Sequence, residues 1–284
     1  MFKHLFYFSL LSSIFGQAQQ QIKGVFSPAS EFKATMLYQL SAGNATYVSY
    51  GSVNAEGEMQ IDLDASVPAG LYKLVYALPQ SEHNFEFIYN GTEAVEFNFD
   101  TETGVKFINS KENQLLQAYN QSISLAQNEL VQLYALPTLD SLNYKRRTQK
   151  IDSLQNYYEA QSKGTIAAHF IAASKPYIPS TAETATDYIS NVKANYFETI
   201  DFQDPILQNS NFVTDKFLDY ILRMHFSETP SFQDYRSNID TVHNAFVNTD
   251  LSYQLTVLNA LKETLNTKGY DALAVYLTQS YVLP

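Results

Sequence analysis

The apolar pattern changes period once, between Asn109 and Lys111, and this change limits what the chain can fold into. Before it, from about Gln19, apolar residues recur at every second position, which gathers them on one face of a strand. Met59, Ile61 and Leu63 alternate with Gln60, Asp62 and Asp64, and Val95, Phe97 and Phe99 alternate with Glu96, Asn98 and Asp100. Phe85, Phe87 and Tyr89 share one parity, with Asn84 and Glu86 on the other. The run from Leu71 to Leu78 is apolar on nearly both parities and predicts a central strand covered on both faces. Turns are expected at Ala42-Gly43-Asn44, Ala55-Glu56-Gly57, Pro68-Ala69-Gly70 and Asn90-Gly91. The last of these lies between two aromatic runs and predicts a hairpin. About eight short strands at this spacing predict an antiparallel β-sandwich or small barrel.

After the change, apolar residues recur every three and four positions, the period of a helix. Leu116, Tyr119, Ile123, Ala126, Leu130 and Leu133 form one stripe, broken at Leu136-Pro137. A second helix is expected from about Leu139 to Ser162, with Tyr144, Thr148, Ile151, Leu154 and Tyr158 inward and Gly164 as its stop. The pair reads as a long antiparallel hairpin. Shorter helices are expected over Thr165 to Ser174, then after a capping box at Ser180-Thr181-Ala182-Glu183, with Ala185, Tyr188, Ile189, Val192 and Tyr196 buried. Asp201 to Asn211 reads as a loop with a turn at Asp204-Pro205. Further helices are expected over Val213 to His225, from Thr229-Pro230, over Asp250 to Asn266, and over Asp271 to Tyr281. The expected fold class is α+β: an N-terminal antiparallel β-sandwich over 19–109, then an all-α helical domain over 110–284. No flexible linker separates them, so the halves are expected to pack together.

The first 18 residues read as a signal peptide. Lys3 gives the positive start, Leu5 to Phe15 the apolar run, and Gly16 and Ala18 the small residues before a cut. The run is shorter than the ~18–20 residues of a membrane span. Cleavage following Ala18, a periplasmic or secreted location and no membrane span in the mature chain are expected.

Composition narrows the chemistry. The chain has no cysteine, which removes disulfides, thiolate nucleophiles and cysteine-held metals. Its formal charge is −11, and its densest basic cluster, Lys145-Arg146-Arg147, reads as the solvated face of a helix. No nucleic acid is expected as a partner, because counterion release needs a basic surface. No Gly-rich phosphate loop and no Gly-x-Ser-x-Gly elbow occurs. His83, His169, His225 and His243 are too far apart in sequence to form a helical two-histidine metal face, and His169 is expected to be a hydrogen-bonded helix residue. Asp62 and Asp64 resemble the start of a calcium loop, but Val67 and Lys73 stand where its glycine and closing carboxylate belong. Strand alternation explains the two aspartates as a solvated face. Asp201 and Asp204 are assigned to turn and capping bonds, and a cleft at the sheet–helix junction is not expected to collect them with His169. Alternating aromatics are assigned to the core. No catalytic, cofactor-binding or metal-binding residue is assigned, no cofactor is expected, and the reading leans away from an enzyme.

Several phrases carry a resemblance. They are Ile22-Lys23-Gly24, Leu37-Tyr38, Glu56-Gly57-Glu58-Met59, Pro68-Ala69-Gly70-Leu71-Tyr72-Lys73-Leu74 and Phe87-Ile88-Tyr89-Asn90-Gly91. In the second half they are Ser162-Lys163-Gly164-Thr165, Pro176-Tyr177-Ile178-Pro179 and Tyr196 to Phe202 with Asp204-Pro205. Together they resemble the N-terminal accessory region of secreted thioredoxin-like, TlpA/ResA-type thiol–disulfide oxidoreductases of Gram-negative bacteria. The resemblance covers nearly all of the mature chain. It implies a β-sandwich and a helical region, which in such proteins precede a Cys-x-x-Cys thioredoxin domain. Thiol exchange needs a thiolate, and these residues supply none. Three functions are therefore expected in order: a non-catalytic accessory module that binds a periplasmic protein; a truncated or split piece acting with a separate thioredoxin-type protein; and a tyrosine-lined binder of a small ligand or glycan.

Overall fold

A computed structural model of the chain describes residues 20–41, 44–136 and 140–283. The expected signal peptide, the Ala42-Gly43 turn, Pro137 and Leu139 lie outside the described residues. The first half has eight strands: β1 (Gln21–Ser27), β2 (Ala34–Ser41), β3 (Asn44–Ser52), β4 (Glu58–Asp62), β5 (Gly70–Val75), β6 (Asn84–Tyr89), β7 (Val95–Asp100) and β8 (Gly104–Asn109). They form two four-stranded sheets, ordered β4-β1-β7-β8 and β3-β2-β5-β6. The α+β class and the order of its halves are as the pattern requires. One pairing departs from the antiparallel expectation, because β1 runs parallel to β7, with Gly24 beside Phe97. A methyl group added at Gly24 would lie 2.2 Å from the Phe97 ring, so that ring occupies the space a side chain would need.

Both inner faces are apolar. Ile22, Phe26, Met59, Ile61, Phe97 and Phe99 from the first sheet meet Leu37, Tyr72, Leu74, Phe87 and Tyr89 from the second. Aromatic contacts cross the gap, with Phe85 edge-on to Phe97 at 4.9 Å and Tyr76 against Phe99 at 4.4 Å. Strand β5 of the second sheet is covered on both faces, as the Leu71 run predicts. Tyr72 and Leu74 point into the sandwich, while Leu71 joins Leu40 and Ile88 in a core shared with the helices.

The expected Asn90-Gly91 hairpin does not form. Its flanking strands belong to different sheets: β6 pairs with β5, and β7 pairs with β1 and β8. Asn90 still makes the local turn, accepting from the backbone of Thr92 and Glu93, and Gly91 takes φ 77°. A turn signal fixes a reversal but not its partner, and here the long-range parallel pairing with β1 decides where β7 lies.

The second half is helical: α1 (Lys111–Tyr134), α2 (Ser141–Ser162), α3 (Ile166–Ala173), α4 (Ala185–Ala194), α5 (Pro205–Gln208), α6 (Phe212–Arg223), α7 (Phe232–Phe246), α8 (Leu251–Thr267) and α9 (Asp271–Leu277), closing on a π turn over Thr278–Val282. α1 and α2 form the expected antiparallel hairpin. Tyr119 meets Tyr158 at one end and Tyr134 meets Tyr144 at the other. The fully buried Gln155 locks them to α3: it accepts from the Tyr119 hydroxyl at 2.9 Å and donates to the Ile171 carbonyl at 3.1 Å.

Three helix starts and two burial assignments differ from expectation. The box at Ser180–Glu183 is not used, because Glu183 accepts from the Tyr177 hydroxyl and the Asn191 amide. Thr184 caps α4 instead, accepting from Asp187 N at 3.1 Å. Ala185 and Ile189 are exposed rather than buried, Ile189 to 51%. α7 starts after Ser231, not at Thr229-Pro230, since Ser231 and Asp234 form a complete capping box. The expected loop after Asp201 contains the short helix α5, capped by Asp204. Among the described residues no helix is long and apolar enough to cross a membrane.

Candidate ligand cleft at the sheet–helix seam

The seam between the second sheet and the helices is closed by polar groups at one end. Asn113, in the first turn of α1, is buried against the edge strand β6. Its amide donates to the Ile88 carbonyl at 2.6 Å and accepts from the Ile88 N–H at 2.7 Å, as a further strand would. Glu112 is also buried. It accepts from Ala167 N at the start of α3 at 3.0 Å and from the Asn90 amide at 3.3 Å. Gln114 and Gln117 donate to carbonyls of β8.

Further along, the seam opens into a cleft of about 440 Å³. Leu71, Leu116, Phe107, Phe170 and Phe212 supply apolar wall, and Glu86 from β6 and Asp215 from α6 bring carboxylates from opposite sides. Phe170 and Phe212 meet edge-on at 5.7 Å. Glu86 accepts from the Asn211 amide just before α6. Burial is the main reason the Glu86 carboxyl is pushed up to about 7, and the negative charge of Asp215 adds to it. The Asn211 hydrogen bond and the charge of Lys73 act the other way. Asp215 is exposed, yet partial desolvation raises its carboxyl too, partly offset by Lys268. Among the described residues neither carboxylate has a cation within 4.0 Å. The half-buried Glu86 and the exposed Asp215 thus line one cleft with no counter-charge in contact, an arrangement that favours a proton on Glu86 or a bound cation.

Sequence alternation put Glu86 on the solvated parity of β6. The signal to the contrary is Ile88, which shares that parity and is 1% exposed. An apolar residue there means that something covers the outer face.

The junction cleft does not collect Asp201, Asp204 and His169. These three line a separate cavity of about 210 Å³ inside the helical half. There the fold brings together what local sequence does not: His169 Nδ1 lies 2.5 Å from Asp204 Oδ2. The other Asp204 oxygen caps α5 through Ile206 N at 2.8 Å, and Asp201 accepts from Gln203 N. Thr199, which also lines this cavity, already donates its hydroxyl to Ala173 O at 3.1 Å. The pair orients the imidazole and ties α3 to the loop before α5.

The other sequence candidates have local roles. Asp62 accepts from Gln21 and Gln60, and Asp64 from Ser66 N. Among the described residues no cluster of three or more histidine or carboxylate side chains is placed to hold a metal. His83 stands edge-on to Tyr76, His243 stacks on Tyr281 at 4.0 Å, and His225 bonds the Ile221 carbonyl. Burial holds His225 below the usual imidazole range. Of the basic triplet, Lys145 and Arg146 are exposed and Arg147 pairs with Glu129 at 2.5 Å. A larger hollow of about 600 Å³ lies on the outer face of the first sheet, where Lys23, Glu58 and Glu96 mix both signs of charge.

Comparison with protein-family models, curated proteins and solved structures finds no match.

Proposed function

We propose that the chain is a non-catalytic accessory or binding module, working in the periplasm or outside the cell after cleavage following Ala18, and that the seam cleft is where it takes its ligand. The observation that carries this reading is the cleft itself. It combines apolar walls with converging polar groups at the junction of two layers, the common form of a small-molecule site. Absence of cysteine makes thiol exchange by these residues chemically impossible. The test is native mass spectrometry on protein recovered from the exported compartment. Wild type is expected to release a small organic molecule that a cleft-filling Leu116→Trp variant of equal helicity does not retain. Empty wild-type protein, with no methyl NMR shift at Leu71, Ile88 or Leu116 on adding the small-molecule fraction of that compartment, would remove the reading.

Two other readings keep specific motives. The resemblance at Pro68 to Leu74 and Tyr196 to Phe202 supports a piece that acts with a separate thioredoxin-type protein; failure of any dithiol protein to co-elute from the same compartment would remove it. A glycan binder would use Tyr47 and Tyr50, which stand 55% and 56% exposed on β3. Loss of glycan binding in a doubly alanine-substituted protein would support that use, and retained binding would exclude it.

A further inference from the structure

We propose that the cleft between β6 and α6 binds a small organic cation, an ammonium or guanidinium group on a short apolar stem, held between Glu86 and Asp215. The inference rests on the cleft being a ligand site and adds the chemistry of what enters it.

The geometry divides the ligand into two parts. Glu86 and Asp215 line the same cleft from different layers, one on a strand and one on a helix. No basic side chain among the described residues pairs with either of them. Lys73, across from Glu86 on β5, and Lys268, just after α8, are the cations that influence the pair, and neither forms a contact ion pair with it. The amides of Asn113 and Gln117 are committed to backbone carbonyls, and the amide that donates to Glu86 is that of Asn211. The remaining wall, Leu71, Leu116, Phe107 and Phe212, suits an alkyl stem and offers ring faces to a cation. A bare metal ion fits less well: a cleft of about 440 Å³ far exceeds its needs, and a hard cation seeks six or more oxygens.

Ionisation sets a pH signature. Glu86 must lose its proton to contribute a full charge, so a cation should bind better as pH rises through about 7, releasing a proton as it binds. The groups that face Glu86 are Asp215 on α6, Lys73 on β5 and the Asn211 amide, with Lys268 acting through Asp215.

Isothermal titration calorimetry of the full chain with n-butylguanidinium, in buffers of different ionisation enthalpy, tests this. Binding is expected to tighten about tenfold between about pH 6 and about pH 8, with proton release. Glu86→Gln is expected to weaken binding at least ~10-fold at the higher pH and to remove the pH dependence. Asp215→Asn, which leaves Glu86 in place, is expected to weaken binding as well. If neutral n-pentanamide binds as tightly, or if calcium alone binds and displaces the guanidinium, the cation inference fails while the cleft remains a ligand site. If neither organic probe binds and the Leu71, Ile88 and Leu116 methyl signals stay still, the inference fails. The mass-spectrometric test then decides separately whether the cleft holds anything.

Discussion

Glu112 and Glu86 lie on the same seam and meet opposite surroundings. Glu112 is buried at the start of α1, and each of its oxygens accepts an N–H, one from α3 and one from Asn90. Glu86 has one amide donor, from Asn211, and an anion, Asp215, opposite it. The first carboxylate joins two layers; the second is held at a gap between them. Burial alone does not mark a functional carboxylate. What marks it is burial without a full set of protein donors, because the missing partner then comes from water, a proton or a ligand.

The largest effect should come from cutting the closed end. Asn113→Ala strands the N–H and C=O of Ile88 inside the protein, and each buried unsatisfied group costs about 1–3 kcal/mol. Urea unfolding should show a loss of about 3 kcal/mol. A loss within error would mean that the two layers do not depend on this contact.

The open end should respond in the other direction and only at higher pH. A carboxyl raised to about 7 favours its protonated form in the folded state. Its favourable contribution is complete below the ordinary carboxylate range and is lost as pH climbs to about 7. Glu86→Gln imitates the protonated form. The variant should match wild type at about pH 4 and become more stable above about pH 7, by on the order of 1–2 kcal/mol. Parallel stability curves across that range would remove the contrast between the two carboxylates.

A solvated pair gives the small end of the scale. Glu129 binds Arg147 and Lys150 across the α1–α2 hairpin, and the Lys150 hydrogen bond leads in holding its carboxyl below the usual range. Arg147→Ala should leave the urea midpoint nearly unchanged, and still less changed in high salt. A larger, salt-independent loss would mean that this surface pair works like the buried seam.

The fold was largely legible in the sequence, because a change of period from two to about 3.6 records which face each element buries. Met59, Ile61, Val95, Phe97 and Phe99 are inward as alternation requires, and Tyr119, Ile123, Ala126 and Leu130 form the buried stripe of α1. Partnerships were less legible. Asn90-Gly91 looks the same whether it joins two strands of one sheet or crosses between sheets. Helix starts were lost where competing caps stood a few residues apart, as at Ser180 and Thr184. The cleft was least legible. Glu86 and Asp215 are separated by most of the helical half, and His169 and Asp204 meet only because α3 packs beside α5. Periodicity places a side chain on a face, but the third layer decides whether that face meets water. Ile88 and the two-sided apolar run from Leu71 hinted at the cover.

Carbon-detected NMR titration of the Glu86 side-chain carboxyl, in wild type and in Asp215→Asn, tests the open end of the seam most directly. A midpoint of about 7 in wild type, falling when the Asp215 charge is removed, is expected. A midpoint in the ordinary carboxylate range of about 4–5, unmoved by the substitution, would show that water or another donor already satisfies Glu86 and that the seam has no unpaired anion to offer.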